Sequence, residues 1–534
     1  MPPGSIVSGV VVDGRPRRFA GGPQAAGGAG PDGAAGFVVA ILSGVATAAA
    51  FEPVAMPLLA PLGVAGLVVA TRTAGYRRAA ITGWAYGVAF MLALLFWLAG
   101  SVGVGAWLVL GLLQACWFAL LGCIWVGLRV LPLWWLWAAT AWVALEQLRS
   151  ALPLGGLPWG RLGFASIDSP WAAGLPVLGV TGTSWVIALV GATAGTCLAA
   201  SGTTVGRRVA MVVSAVAVSL APGVAAAGLD PVTVGTVRIG IVQGGVPGSG
   251  TRLVEHHREV TLNHLEATED LAAAVAASGG PDPDLVLWPE NATAVDPFRD
   301  EIAGRTLRQA AAVTGVPVLA GSIVDLGTSK ASNQGIVWNP EGPGDTYTKQ
   351  HLVPFGEYVP WRSVVTRFSD RLRAIPRDMV PGRTPVPLRI AGIPVADALC
   401  FDIAYDDVIA PQVEAGAQVV TVQTSNAMFL GTSQLDQQFA ITRVRALEAG
   451  RSVAVASVNG VSGAIAPDGD VVTVLPVMAT DSRLVELPLR DGVTPALRLG
   501  GLTAGAPLVI AAVSLIAAAS RRLARRRLLG RSRR

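Results

Sequence analysis

The sequence predicts a two-part protein: a multi-span α-helical membrane domain of about eight spans, and an exported α/β domain placed before the last span. Three observations carry that prediction. The chain is 52% hydrophobic and only 14% charged, against roughly 25% charged in an average soluble domain, and its mean hydropathy is +0.54. Apolar stretches close to the length of a bilayer crossing recur through the first part of the chain and once more near the C-terminus. Between them, from Val237 onward, strand-like runs alternate with helical patterns, which argues for an α/β domain with a layered sheet.

Residues 1–35 are rich in Gly, Pro and Ala, carry Arg15, Arg17 and Arg18, and read as a flexible cytoplasmic tail. They contain no apolar core followed by a small-residue cleavage site, so a removable signal peptide is not expected. Spans are expected at 36–51, 53–70, 80–100, 105–127, 132–148, 173–199 and 209–228, making a membrane domain of residues 36–229. An eighth is expected at 499–519, before an Arg-rich tail of residues 520–534. The net charge of +5 is mild, but the arginines are ordered. Arg15–Arg18, Arg72, Arg77 and Arg78, Arg129, Arg207 and Arg208, and the eight arginines of the C-terminal tail fall after every second crossing. By the positive-inside rule these are cytoplasmic, which places residues 230–495 on the outer face of the cell membrane.

Trp134, Trp135, Trp137 and Trp142 gather at the presumed inner edge of the fifth span and read as an aromatic belt. Glu146 and Arg149 stand about one helical turn apart near its outer end, and could pair with each other or line a head-group path. In the outer loop, Leu157-Pro158-Trp159-Gly160-Arg161 offers Trp159 as an exposed interfacial anchor, with lipid contact as the sharper alternative.

In the exported domain, strands are expected at Val237–Val242, Leu285–Trp288, Val316–Ala320, Val395–Leu399, Val419–Gln423 and Val453–Val458, and helices at Arg252–Ala277, Glu301–Val313 and Gln434–Glu448. Three features concentrate there. Cys116, Cys123 and Cys197 fall in spans, so Cys400 is the only exported thiol and has no disulfide partner in its domain. It ends an apolar strand, where a sheet opens onto a ligand-binding rim, although a free cysteine is commonly just a small buried hydrophobe. Only two of the 40 basic residues are lysines, Lys330 and Lys349. Lys330 lies in a polar loop and reads as solvated, whereas Lys349 precedes the rigid run from Gln350 to Pro360. A lysine kept in so arginine-rich a chain suggests a compact ammonium, against the alternative of a surface cation. Glu290 follows Leu285-Val286-Leu287-Trp288-Pro289 and projects from a strand end, unless it merely caps a helix or is solvated. Together a carboxylate, an ammonium and a thiol are the parts of an acyl-transfer site.

Glu290, Lys349 and Cys400, in this order, resemble the Glu–Lys–Cys triad of the nitrilase superfamily, whose fold is an α-β-β-α sandwich. Within an eight-span membrane protein, the run Lys349–Pro360 resembles the apolipoprotein N-acyltransferase family. Val242-Gln243-Gly244, Ser425-Asn426, Arg443-Val444-Arg445-Ala446-Leu447-Glu448, Asn459-Gly460-Val461-Ser462-Gly463 and Leu157-Pro158-Trp159 extend the resemblance to about residues 36–520. It implies an enzyme that takes an acyl chain from a membrane phospholipid as a cysteine thioester. The chain then passes to the α-amine of the N-terminal diacylglyceryl-cysteine of an apolipoprotein. It also implies roles: Glu290 as base towards Cys400, Lys349 with the Phe401 N–H as oxyanion donors, and Glu357 orienting Lys349 or the base.

The chain departs from the family's usual Tyr-Glu after the nucleophile, having Phe401-Asp402, and has Asn426-Ala427-Met428-Phe429 where the family often reads Asn-Asp-Ala-Trp. A tryptophan that the family often carries just beyond the first strand has no counterpart between Gly244 and Leu253. Two alternatives stand beside this reading: a membrane-tethered exported amidase or nitrilase, for which one span would suffice, and a non-enzymatic polytopic scaffold, which would not need the triad. The partners expected are a phospholipid donor, a diacylated apolipoprotein acceptor and membrane lipids. No cofactor is called for. His256, His257, His264 and His351 lack metal-ligand spacing, and the juxtamembrane arginines suit topology or anionic lipid rather than nucleic acid.

Overall fold

A computed structural model describes residues 33–199, 204–229, 231–247, 255–367, 370–373, 375, 377–383 and 385–531. The expected tail up to residue 32, with Arg15, Arg17 and Arg18, lies outside the described residues, as do Arg533 and Arg534.

Each apolar stretch forms a helix. The first seven are α1 Gly33–Ala48, α2 Leu59–Thr71, α3 Tyr76–Leu94, α4 Val104–Leu128, α5 Trp134–Ala151, α6 Leu175–Ala199 and α7 Val205–Ala226. Small residues let α3 and α4 touch: a Cβ on Gly83 would lie 2.2 Å from the Phe118 carbonyl oxygen, and one on Gly122 2.2 Å from that of Ala79. Such close approach is how helices associate where lipid removes the hydrophobic driving force.

The remaining strands and helices form four layers. One sheet runs β13-β1-β2-β3-β4-β5 and includes β1 Val232–Gln243, β2 Leu285–Leu287, β3 Val318–Leu326, β4 Lys330–Asn339, β5 Gly342–Thr348 and β13 Asp481–Asp491, with β6 Asp378–Met379 beside β4. The other runs β12-β11-β10-β9-β8-β7, from β7 Leu388–Ile390, β8 Ile393–Leu399, β9 Val419–Thr424 and β10 Val453–Ser457 to β11 Gly463–Ile465 and β12 Val471–Val474. Strands β1, β2 and β3 are mutually parallel, as are β8, β9 and β10. The sheets pack face to face, and the Gln423 amide of β9 donates to the Trp288 carbonyl at 2.6 Å. Helices α8 His257–Ser278 and α9 Glu301–Thr314 cover the first sheet, burying Leu265, Leu271 and Leu307 against Val286 and Ile336. Helices α10 Asp406–Glu414 and α11 Gln434–Ala449 belong to the core that holds β8 and β9.

Helix α12 runs unbroken over Gly500–Arg531, through arginines expected to form a separate tail. Among the described residues, four helical stretches are long and apolar enough to cross a membrane: Val104–Leu128, Ala172–Ala199, Val205–Ala226 and Gly500–Leu529. Helices α1 and α2 are apolar but shorter. Helices α3 and α5 dilute their apolar faces with Arg77 and Arg78, and with Glu146 and Arg149.

Two expectations about aromatic residues are corrected. Trp142 does not belong to an aromatic belt; it is 2% exposed, with Tyr86, Phe118 and Trp125 around it. Trp159 is not an exposed anchor but is 4% exposed. Local composition read each as interfacial, whereas the tertiary packing gives each indole a buried partner: Trp142 donates to Glu146 at 2.8 Å and Trp159 to Gln437 at 2.7 Å. Glu146 and Arg149 brace the loop that carries Trp159. Glu146 also accepts the Leu162 N–H at 2.9 Å, and Arg149 donates to the Leu157 and Trp159 carbonyls at 2.8 and 2.6 Å.

Candidate active site

Parallel strands open their C-terminal ends onto one rim, and the three residues singled out from the sequence meet there. Past the end of β2, Pro289 cannot extend the ladder, and the chain turns to bring Glu290 inside, 3% exposed. Gly321 of β3 makes room, since a Cβ there would lie 2.5 Å from the Glu290 Cα. Lys349 follows β5, and its N–H donates to the Asn333 carbonyl at 2.9 Å.

The Lys349 ammonium is buried between two carboxylates, donating to Glu290 Oε1 and Glu357 Oε1 at 2.9 Å each. Burial alone would push the Lys349 pKa down, but Glu290 and then Glu357 hold it well above the ordinary lysine value. Asn333 of β4 bridges the same two carboxylates, with Nδ2 at 2.7 Å from Glu290 and 3.3 Å from Glu357. The Ser425 N–H, just past β9, donates to Glu290 Oε2 at 3.0 Å, and the Val353 N–H donates to Glu357 Oε2 at 2.8 Å. Every oxygen of the pair is therefore held in place.

Cys400 directly follows β8 and begins a short 3-10 turn, Cys400–Ala404. Its φ is +52°, a left-handed conformation uncommon for a residue with a side chain and concentrated at functional sites. Burial pushes the thiol up to about 12; Glu290 adds to the rise, while the Lys349 ammonium opposes it. Glu290 and Lys349 thus both act electrostatically on the sulfur, in opposite directions. Phe401 is half-buried and stacks on Trp159, with ring centroids 6.2 Å apart and planes at 22°.

Asp402 is fully buried. It accepts the Tyr347 hydroxyl at 2.7 Å and the N–H groups of His351 and Gln350 at 2.8 and 3.3 Å. It therefore ties the Cys400 turn to the segment immediately after Lys349. Burial raises its carboxyl to about 6, against the pull of Lys349 and these donors.

Membrane helices and catalytic layers share this neighbourhood. Gln437 of α11 accepts the indole N–H of Trp97 at 3.1 Å and of Trp159 at 2.7 Å, and donates to the carbonyls of Glu52 and Leu94 at 2.8 and 3.2 Å. Trp97 meets Phe429 edge to face at 5.4 Å. Arg161 pairs with Asp406 at 2.8 Å, and Asp406 with Arg445, whose guanidinium also donates to the Ile403 and Ala404 carbonyls at 2.9 Å each. Gly179 turns α6 at φ +63°, and the Val180 N–H beside it donates to Glu448 at 2.8 Å.

A family model of the apolipoprotein N-acyltransferase N-terminal domain matches residues 43–193, and a carbon-nitrogen hydrolase model matches residues 238–491. The apolipoprotein N-acyltransferase of Mycolicibacterium smegmatis is 33% identical over 518 residues, covering 89% of this chain and 84% of its own length. The chain belongs to the apolipoprotein N-acyltransferase family. The enzyme of that name from Pseudomonas aeruginosa is 30% identical over 499 residues, covering 87% of this chain and 92% of its own. Among solved structures, an amidase from Nesterenkonia aligns with 48% of this chain and 90% of its own at 20% identity, with a TM-score of 0.35. This family member is accordingly an acyltransferase.

Sequence reasoning about this acyltransferase missed Asn333, Gln437 and Tyr347. Asn333 had one available signal, a polar amide within the apolar alternation of a strand. Lys330 is exposed, as expected, but begins β4 rather than lying in a loop. Among the described residues no cluster of His, Cys, Asp and Glu has the arrangement to hold a metal ion.

Proposed function

We propose that the enzyme moves an acyl chain from a membrane phospholipid to the α-amine of the N-terminal diacylglyceryl-cysteine of apolipoproteins, through a thioester on Cys400. The carrying observation is the Lys349 ammonium buried between Glu290 and Glu357 beside the strand-end thiol. In the first step Glu290 takes the Sγ–H proton, and the sulfur attacks the donor's ester carbonyl. The ester C–O bond then breaks, and the departing alcohol of the lysophospholipid takes the proton from Glu290. In the second step the acceptor amine attacks the thioester carbon and gives a proton to Glu290. The C–S bond breaks, and the proton returns to the sulfur.

Both tetrahedral intermediates carry an oxyanion. An ammonium has three N–H donors. Two of them go to Glu290 and Glu357; the third, with the Phe401 N–H, is assigned to that oxygen. Glu357 holds the ammonium in place, and Asp402 fixes the turn and the Lys349 segment relative to each other.

We read eight membrane crossings, both termini in the cytoplasm, and the catalytic layers on the outer face of the cell membrane. The division is a tail of residues 1–35, a membrane domain 36–229, a catalytic domain 230–495, a span 499–519 and residues 520–534. Both substrates are lipids, which suits a thiol beside membrane helices. The experiment is mass spectrometry of a lipoprotein N-terminus from cells with and without this protein. Loss of the N-linked acyl group in its absence supports the reading, and an unchanged N-terminus contradicts it.

A further inference from the structure

The catalytic layers touch one end of the helix bundle, and an uncommitted groove lies at the other. Gln437 reaches the Leu94 carbonyl at the C-terminal end of α3. Tyr76 begins that helix, 18 residues earlier, or roughly 27 Å away at about 1.5 Å per residue. That distance is close to the ~30 Å of a bilayer's hydrocarbon core. Around Tyr76 runs a groove of about 400 Å³, lined by Gly127, Leu515, Ala518, Ala519 and Leu523 and rimmed by Arg522 and Arg526.

The rim is built. Arg522 lies 5.4 Å over the Tyr76 ring, bonds its hydroxyl, and donates to the carbonyls of Val126 and Gly127 at 2.5 and 3.1 Å at the end of α4. The hydroxyl and the carbonyls are neutral, so these partners leave the guanidinium charge uncompensated among the described residues. Arg526 stands one turn further along α12, exposed. No Asp or Glu occurs between Glu52 and Glu146, between Asp168 and Asp230, or after Asp491. The helices that line this groove therefore supply no carboxylate to pair with its arginines.

We propose that this groove binds an anionic glycerophospholipid of the leaflet opposite the catalytic layers, its phosphate on Arg522 and Arg526 and an acyl chain along Leu515, Ala519 and Leu523. An apolar floor with a two-arginine rim fits that molecule better than a free anion, which has no use for the floor, or an uncharged lipid, which leaves the rim unpaired. A bound lipid would clamp α12 to the ends of α3 and α4. This site is separate from the acyl-transfer chemistry and does not depend on it.

The test uses the full chain in detergent, with ether-linked phosphatidylglycerol and phosphatidylcholine as probes, because ether lipids carry no acyl ester to transfer. Retained lipid is read by native mass spectrometry. Each arginine near an anionic head group is worth about a fivefold preference, so two give roughly 25-fold for phosphatidylglycerol. Arg522→Gln with Arg526→Gln should bring that preference below about threefold, and Ala519→Phe, which fills the groove at unchanged charge, should do the same. Arg525→Gln with Arg527→Gln removes the same charge outside the groove lining and should leave the preference intact. Should the first double variant fail to fold, Arg526→Gln alone and Ala519→Phe decide. Equal loss from both arginine pairs, no effect of Ala519→Phe, or no head-group preference in the parent protein would overturn the proposal.

Discussion

Gln437 accepts the indole N–H of Trp159 at 2.7 Å, and Trp159 in turn stacks on Phe401, the residue after Cys400. One side-chain amide of the α/β layers thus fixes a membrane-loop ring against the Cys400 turn. All four of its hydrogen bonds end on the membrane part of the chain, at Trp97, Trp159, Glu52 and Leu94. Gln437→Leu keeps the volume but strands these groups, each buried unsatisfied group costing about 1–3 kcal/mol. The melting temperature should fall, and acyl-enzyme formation should slow by about tenfold or more, a loss of ~1.4 kcal/mol or more in the barrier. A variant with parental burst rate would mean that the knot does not position the turn.

Asn333 bridges two carboxylates that share one ammonium. Asn333→Asp would put three carboxylates around Lys349 and force one to hold a proton. Glu290 would no longer be dependably ionised as a base, so the burst rate should drop by about a hundredfold, within the usual range for general-base catalysis. Asn333→Ser, which keeps a donor without the charge, should lose less. Equal rates for the two variants would remove the electrostatic part of this reading.

Stability should fall as pH rises from the unfolded value of 3.8 through about 8 because of Asp397, and level off above. It is fully buried between the sheets, bonded through Oδ1 to the Thr421 hydroxyl at 2.7 Å, while Asp397 Oδ2 and Gln423 Oε1 find no donor among the described residues and both face Gly335. Burial raises its carboxyl to about 8, above the unfolded value of 3.8. A proton on Oδ2 therefore favours the folded state. That stabilisation is fully present below the unfolded value and is lost as pH rises through about 8. Between roughly pH 7 and 9 the loss amounts to about 1.4 kcal/mol. Asp397→Asn, whose amide N–H replaces the proton, should flatten this part of a melting-temperature profile. A slope identical to the parent's would assign the effect to another group.

Lys349→Arg tests whether a point ammonium is needed. In a chain with 40 basic residues and only two lysines, an ordinary cation should tolerate the change. Wedged between Glu290 and Glu357, the larger planar fork cannot aim one N–H at an oxyanion. The burst rate should fall by roughly a hundred- to a thousandfold, about 2.7–4 kcal/mol, with Lys330→Arg unaffected. A rate within a few-fold of the parent's would make the lysine dispensable.

The clustering of Glu290, Lys349 and Cys400 was legible because each sits at a strand end or breaks a compositional habit: Cys400 after Leu399, Glu290 after Pro289, and Lys349 among arginines. The parallel strands β8, β9 and β10 were legible as short apolar runs, whereas β4 and β5, with Lys330, Ser332, Asn333 and Asp345, carry too many polar residues to stand out. Asn333 and Gln437 lay hidden for a related reason. Within a local pattern a polar side chain reads as solvent-facing, and only the tertiary fold brings Glu290 and Glu357, or Trp97 and Trp159, to its amide. Trp159 was misread likewise: Pro158 and Gly160 suggest an exposed turn, but Phe401 and Gln437 cover its ring.

The most direct test of acyl transfer through Cys400 is the intact mass of the purified enzyme after incubation with phospholipid alone. A covalent intermediate requires a mass increase of one acyl group, mapped to Cys400, with one equivalent of lysophospholipid released and the adduct discharged on adding a diacylated lipopeptide. Cys400→Ser should show no such adduct, while Cys116→Ala, Cys123→Ala and Cys197→Ala should show it in full. Lysophospholipid released only in the presence of the lipopeptide, with the enzyme never gaining mass, would contradict the thioester and favour direct attack by the amine.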